Sequence, residues 1–200
     1  WLTTALALEW ALLLAALGAL TITEEYRWYI VWAVAALAAS FAVRAIRTVS
    51  GSLAGQGNPL NEERGKRAAW ADGLAVNTFA EGMEILYFPG CYLSYDPRLK
   101  KVARATAHIL TRAGVEFGIL GTAENCCGES IRKTGDEELF KRLARENIKA
   151  FIDNGVKRIL VSSPHCYHTF KNEYPEFMVN FEVVHIAQYI FELIQSGRIE

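Results

Sequence analysis

Glu84-Ile85-Leu86-Tyr87-Phe88-Pro89-Gly90-Cys91 is the stretch that decides how the rest of the chain is read. Its apolar half is too short for a helix, and Pro89-Gly90 end it sharply, as turn residues end a buried strand. Downstream, Asp96-Pro97 has the cap and first-position residues of a helix start. Leu99, Val102, Ala103, Thr106, Ile109 and Leu110 then recur at helical spacing, and Gly114 stops the run. Residues 115–120 form a second apolar run. Asp136 caps a further helix to about Asn154, with Leu139, Phe140, Leu143, Ile148 and Phe151 on its core face. Residues 158–161 and 181–184 are expected strands, and a final helix covers about 186–196. Strands alternating with helices predict an α/β domain with a mainly parallel sheet and flanking helices.

Against that frame the cysteines fall at particular places. Cys91 lies just past the first strand, Cys126 and Cys127 after the second, Cys166 after the third. In a parallel α/β sheet the C-terminal strand ends share one edge, and ligands bind there. Adjacent thiols such as Cys126-Cys127 hardly bond to each other without strain, yet both can face one metal centre. Any one of these cysteines alone reads as an inert core residue; all four on one sheet edge read as one site. In a chain of this length the pattern suits metal ligation better than a secreted disulfide framework.

The N-terminal part differs in kind. The apolar share of the whole chain is 52%, and residues 1–46 hold few charges. Leu2 to Leu20 and Tyr29 to Ile46 are two apolar runs, each near the ~20 residues that span a bilayer core. A short polar link, residues 21–27, joins them, with Trp1, Trp28 and Tyr29 at interfacial positions. The expected organisation is a helical membrane hairpin over 1–47, a linker over 48–82 with a short helix near 68–80, and a cysteine-rich domain over 83–200. Glu9 inside the first run argues for a buried soluble helix pair instead. Arg44, Arg47, Arg64, Lys66 and Arg67 follow the second run, whereas the link offers only Arg27; the positive-inside rule then puts the C-terminal domain on the cytoplasmic side of the cell membrane. The hairpin contains no His, which excludes a bis-His haem within it. With 21 basic and 22 acidic residues, the charge balance points to no nucleic-acid partner. A start at Trp1 leads us to expect a processed or partial version of a longer polypeptide.

Pro89-Gly90-Cys91, Cys126-Cys127-Gly128 and Ser163-Pro164-His165-Cys166, in that order and spacing, resemble the cysteine-rich CCG domain of heterodisulfide reductase subunits and related membrane-associated iron–sulfur oxidoreductases. Tyr95-Asp96-Pro97, Phe117 to Gly121, Cys166 to Phe170 and Asn172 to Pro175 fit as well, so the likeness covers about residues 84–200. The resemblance implies electron transfer between a quinone pool or flavoprotein and a thiol, disulfide or soluble carrier. It implies partners among the subunits of a membrane redox complex, and contact with membrane lipid. The family's full motif has five cysteines, the last two as Cys-x-x-Cys, and can hold a noncubane four-iron cluster. Here Ser163 stands where the fourth would be. The chain also holds no ferredoxin-like Cys-x-x-Cys-x-x-Cys run and no second CCG copy.

A serine hydroxyl is far less acidic than a thiol and a harder ligand, so a five-thiolate cluster would be incomplete. Cys91, Cys126, Cys127 and Cys166 remain, the number for a cubane four-iron cluster and equally for tetrahedral zinc. His165 and His168 are read as hydrogen-bonding groups beside Cys166 rather than ligands. Two functions follow: an anchored iron–sulfur electron-transfer subunit, with Ser163 as a weak extra ligand, or a zinc-stapled interaction domain of a membrane redox complex.

Overall fold

The computed structural model describes residues 11–12 and 24–199. Residues 1–48 and 49–200 are two compact units.

In the first unit and just beyond it runs one long helix, α1 (Glu24–Gln56). Alanine favours helix, and the run contains no proline. Trp28, Tyr29, Trp32 and Leu37 are exposed on it. A helix apolar on all sides is suited to lipid or to a partner's interior. Among the described residues one helix, Tyr26–Gln56, is long and apolar enough to cross a membrane. The expected hairpin is thus seen in one arm only. Apart from Ala11 and Leu12, both helical, the other arm lies outside the described residues. Helix α1 begins at Glu24, inside the stretch read as the polar link.

In the second unit the described strands form one parallel sheet: β1 (Asn77–Thr78), β2 (Ile85–Phe88), β3 (Phe117–Ile119), β4 (Arg158–Val161) and β5 (Glu182–His185), in the order β1-β3-β2-β4-β5. Successive strand residues point to opposite faces, and both faces are covered, as parallel sheets require. Leu86, Phe88, Ile159 and Val161 face one core with Phe140, Phe151, Phe170 and Tyr174. Ile85, Tyr87, Leu160 and Val184 face the other with Trp70, Leu110 and Tyr189. This two-faced burial is why the strands read as unbroken apolar runs.

The helices are α2 (Gly90–Tyr95), α3 (Lys100–Arg112), α4 (Glu129–Lys133), α5 (Glu137–Asp153), α6 (Pro164–His168) and α7 (Ile186–Gln195). Asp136 caps α5 as expected, its carboxylate accepting from the Leu139 N–H. The Asp96 carboxylate accepts from the Arg98 and Leu99 N–H groups in the turn that leads into α3. The short helices α2, α4 and α6 differ from the sequence expectation; each is too brief to show a period, and each carries a cysteine or, for α4, begins two residues after one.

The stretch over 48–82, read as a linker, contributes Leu53, Asn58, Arg67, Trp70 and Phe79 to the buried interior. Its expected short helix is a single 3-10 turn at Ala69–Ala71, and the edge strand β1 follows. At two exposed residues, β1 is too short to leave a pattern.

Chain connections fix where the ligand loops go. After β2 the chain packs α3 onto one face through Ala103, Ala107 and Leu110. After β3 and β4 it crosses the other face, through α5 and through residues 166–174. The direction of winding reverses at β2, and α/β folds bind ligands outside such a reversal.

Candidate functional site

Cys91 occupies the first turn of α2, directly beyond β2. Cys126 and Cys127 fill the loop between β3 and α4. Cys166 lies within α6, beyond β4. All four are buried in the same core cluster, and none forms a disulfide. The thiols are close enough to shift one another's titration in a chain: Cys126 acts on Cys91, Cys127 on Cys126, and Cys166 on Cys127. Three loops far apart in sequence have therefore converged on one line of sulfur.

Two motif glycines permit that convergence. Gly90 has φ 79°, and a Cβ there would lie 3.2 Å from Cys166 Sγ. Gly128 has φ 91°, and a Cβ there would lie 2.7 Å from a Phe140 ring carbon. At both positions glycine supplies a left-handed backbone and a close approach that no other residue combines cheaply.

The Cys-Cys loop is held by buried polar groups. The Cys126 N–H donates to the Gly57 carbonyl at 2.7 Å. The Asn147 side chain accepts from the Asn125 N–H at 2.9 Å and donates to the Cys126 carbonyl at 3.0 Å. Tyr174 donates its hydroxyl to the Cys127 carbonyl at 3.2 Å. The Tyr174 ring is itself set by Phe170, with centroids 4.7 Å apart and edge to face. Loop backbone buried without such partners would cost stability, so these side chains are what allow the loop to lie inside.

Beside Cys91 sits a buried ion pair. Arg67 Nη2 is 2.6 Å from Glu124 Oε1, and both side chains are 2% exposed. The same guanidinium donates to Cys91 Sγ from Nη1 and Nη2 at 3.7 and 3.6 Å, and to the Asn125 carbonyl at 3.3 Å. Burial pulls the Arg67 guanidinium downward, but Glu124 and Cys91 outweigh it and hold it well above its ordinary value. The Tyr95 hydroxyl is buried close by without a hydrogen-bond partner, and its ring centroid is 5.9 Å from the guanidinium carbon.

The thiols are not poised as free nucleophiles. Hydrogen bonding to Cys126 and burial push Cys91 well above the ordinary thiol range, against the pull of Arg67. Cys126 is pushed up to about 12, first by its contact with Cys127. At Cys127 the contact with Cys126 acts downward, but Cys166 and burial outweigh it and the group ends well above its usual value. Buried thiols raised in this way are inert until something replaces the proton, and a bound metal does so. The Gly128 and Glu129 backbone amides act in the opposite sense, pulling the Cys126 and Cys127 thiols downward. Arg67 on Cys91 is a donor suited to a thiolate.

That donor set fits a thiolate-held group: four buried sulfurs, N–H donors, a buried cation and an orphaned hydroxyl. Among the described residues no three Cys, His, Asp or Glu side chains surround one point as a single ion needs, so the fit rests on donor chemistry rather than on a preformed cage. Ser163 is the N-cap residue of α6, one turn ahead of Cys166, and its hydroxyl makes no capping bond. His165 does not join the thiols; its Nδ1 is 3.1 Å from the Glu129 carboxylate, tying α6 to α4. His168 pairs with Asn172 and Glu173 on the surface.

Four contributors were missed from the sequence: Arg67, Glu124, Asn147 and Tyr174. Asn147 left a signal, being a polar residue on the otherwise apolar core face of α5. Arg67 left none and had been counted among the exposed basic flank of the membrane run. Its burial removes it from that count, whereas Arg44 and Arg47 remain exposed.

Comparison with known proteins identifies the arrangement. Residues 85–171 match the CCG family of cysteine-rich domains. These residues are a CCG cysteine-rich domain. The chain is 38% identical over 150 residues to EtfAB:quinone oxidoreductase of Syntrophomonas wolfei, covering 72% of this chain and 21% of that protein. It is 39% identical over 157 residues to the probable iron-sulfur-binding oxidoreductase FadF of Bacillus subtilis, covering 74% and 22%. It is 32% identical over 149 residues to a subunit of the dihydromethanophenazine:CoB–CoM heterodisulfide reductase of Methanosarcina barkeri, covering 72% and 36%. The chain thus spans about a fifth to a third of these relatives, and its CCG domain is related to parts of iron–sulfur oxidoreductases. No solved structure matches the chain.

Proposed function

We propose that this chain is the electron-transfer part of a membrane-anchored iron–sulfur oxidoreductase related to heterodisulfide reductase. Cys91, Cys126, Cys127 and Cys166 hold a four-iron cluster, which when bound accepts and gives up single electrons. The observation that carries this reading is the convergence of four buried thiols from three strand ends beside a buried cation. Relatives named as an iron-sulfur-binding oxidoreductase and a heterodisulfide reductase subunit support it.

Each residue then has a defined task. The four cysteines supply thiolates, the usual protein ligands of iron–sulfur clusters. The Gly128 and Glu129 N–H groups stabilise the charge on Cys126 and Cys127, and Arg67 that on Cys91. Asn147 and Tyr174 keep the Cys-Cys loop in place, and the apolar core around Phe88 and Phe170 excludes water. Ser163, a hard and weakly acidic donor, leaves the set at four thiolates and makes the cubane form the better match. The electron donor or acceptor is a quinone pool or flavoprotein on one side and a thiol, disulfide or soluble carrier on the other, within a larger membrane complex.

Helix α1 serves as the membrane anchor. Arg44 and Arg47, at the C-terminal end of its apolar run, favour a cytoplasmic CCG domain. Release of the chain from membranes by carbonate without detergent would contradict the anchor.

The deciding experiment is anaerobic purification followed by iron, zinc and acid-labile sulfide analysis with visible absorption. About four iron and four sulfide per chain are expected for a cubane cluster. One zinc without iron would replace this reading by the zinc-stapled interaction domain.

A further inference from the structure

We propose that Arg67, positioned by Glu124, sets the reduction potential of the group that the four cysteines hold. The inference rests on the iron–sulfur reading above and goes beyond it, because Arg67 lies outside the matched span 85–171 and is no part of the cysteine motif.

Arg67 is the only buried cationic side chain among the described residues. Long charged side chains are almost never buried unless paired, and Glu124 accounts for the pairing, accepting from Nε at 3.0 Å and from Nη2 at 2.6 Å. Charge balance alone would be satisfied anywhere in the core. The guanidinium is instead turned so that Nη1 and Nη2 also reach Cys91 Sγ. Glu124 directly precedes Asn125 and the Cys-Cys pair, and the guanidinium itself also donates to the Asn125 carbonyl. The ion pair is therefore tied to two ligand-bearing segments, one at Cys91 and one just before Cys126.

The electrostatic consequence follows from position. Deprotonating four thiols concentrates negative charge in a region of low dielectric, where charges act strongly on one another. Reduction adds one electron and one further negative charge there, with no bond made or broken. A fixed cation hydrogen-bonded to one of the sulfurs stabilises the reduced form more than the oxidised form, and so raises the potential; hydrogen bonds to cluster sulfurs and local charge are among the features that set such potentials. Glu124 partly offsets this from a greater distance, and its main effect is to aim the guanidinium.

The test uses the full chain in detergent, reduced stepwise with dithionite and reoxidised with ferricyanide, the midpoint being followed by electron paramagnetic resonance. Arg67→Gln combined with Glu124→Gln removes both charges together and leaves no buried ion unpaired. We expect it to retain wild-type iron and sulfide but to titrate at a lower potential. Arg67→Lys keeps the charge, loses the fork, and is expected to titrate between the two; it also carries the test alone if the double variant does not fold. An unchanged midpoint with full iron in either folded variant would overturn the proposal while leaving the iron–sulfur reading intact. So would loss of iron from folded Arg67→Lys, which would make Arg67 a scaffold residue only. Iron-free wild-type protein would overturn both.

Discussion

The loop of Cys126 and Cys127 and the turn of Cys166 contribute to one line of thiols but are built on different principles. The first is gripped on several sides, by the Gly57 carbonyl, by Asn147, by Tyr174 and by the Arg67–Glu124 pair. The second is a short helix on which Pro164 and His165 face solvent and Ser163 makes no capping bond. A buried loop must have its polar backbone satisfied, so its residues are interdependent. A surface turn needs only its one inward side chain to be right. Rigidity therefore lies at the Cys-Cys pair and accessibility at the Cys166 turn, and the open turn explains how serine is accommodated at 163 in an otherwise complete motif.

The contrast is sharpest in stability. Glu124→Leu strands a buried guanidinium, and breaking a buried pair in this way costs about 3–5 kcal/mol; urea unfolding of the metal-free protein should show a loss of that size. Gly128→Ala forces a side chain into left-handed backbone and into the Phe140 ring, for a loss of about 3 kcal/mol and with it most of the iron uptake. Asn147→Ala leaves the Cys126 carbonyl and Asn125 N–H unpaired, for about 2 kcal/mol in the same measurement. At the other turn, His165→Ala removes an exposed imidazole from the buried Glu129, which keeps its pair with Lys133, and should change stability by under about 1 kcal/mol. A loss at His165 as large as that at Asn147 would erase the distinction between the two regions. Ser163→Cys should be the mildest in stability, within about 0.5 kcal/mol. Its effect should appear instead in the electron paramagnetic resonance signal of the loaded protein, which we expect to change as a fifth thiolate joins the set.

Much of this molecule was legible in its residues. β2 and β4 announced themselves because burial on both faces leaves unbroken apolar runs, and α5 because its core face repeats at helical spacing behind a capping Asp136. The alternation of these elements was enough to put Cys91, Cys126, Cys127 and Cys166 at one sheet edge. β1 was not legible, since two exposed residues form no pattern, nor were the short helices that carry the cysteines. Residues 48–82 looked like a linker because glycines and mixed charges are common to linkers and to irregular segments that pack.

The sequence by itself determined the parallel α/β architecture, the sheet edge on which four thiols meet, and an apolar helix long enough to cross a bilayer. These depend on local pattern: strand runs, helical period, cap residues and cysteine position. Only the tertiary structure decided that Arg67 leaves the apparent basic flank to pair with Glu124 beside Cys91, and that Asn147 and Tyr174 hold the Cys-Cys loop. The reason is physical. A charge or amide is buried only where distant partners satisfy it, and pairings between residues as far apart as 67 and 124 leave no trace in the neighbourhood of either.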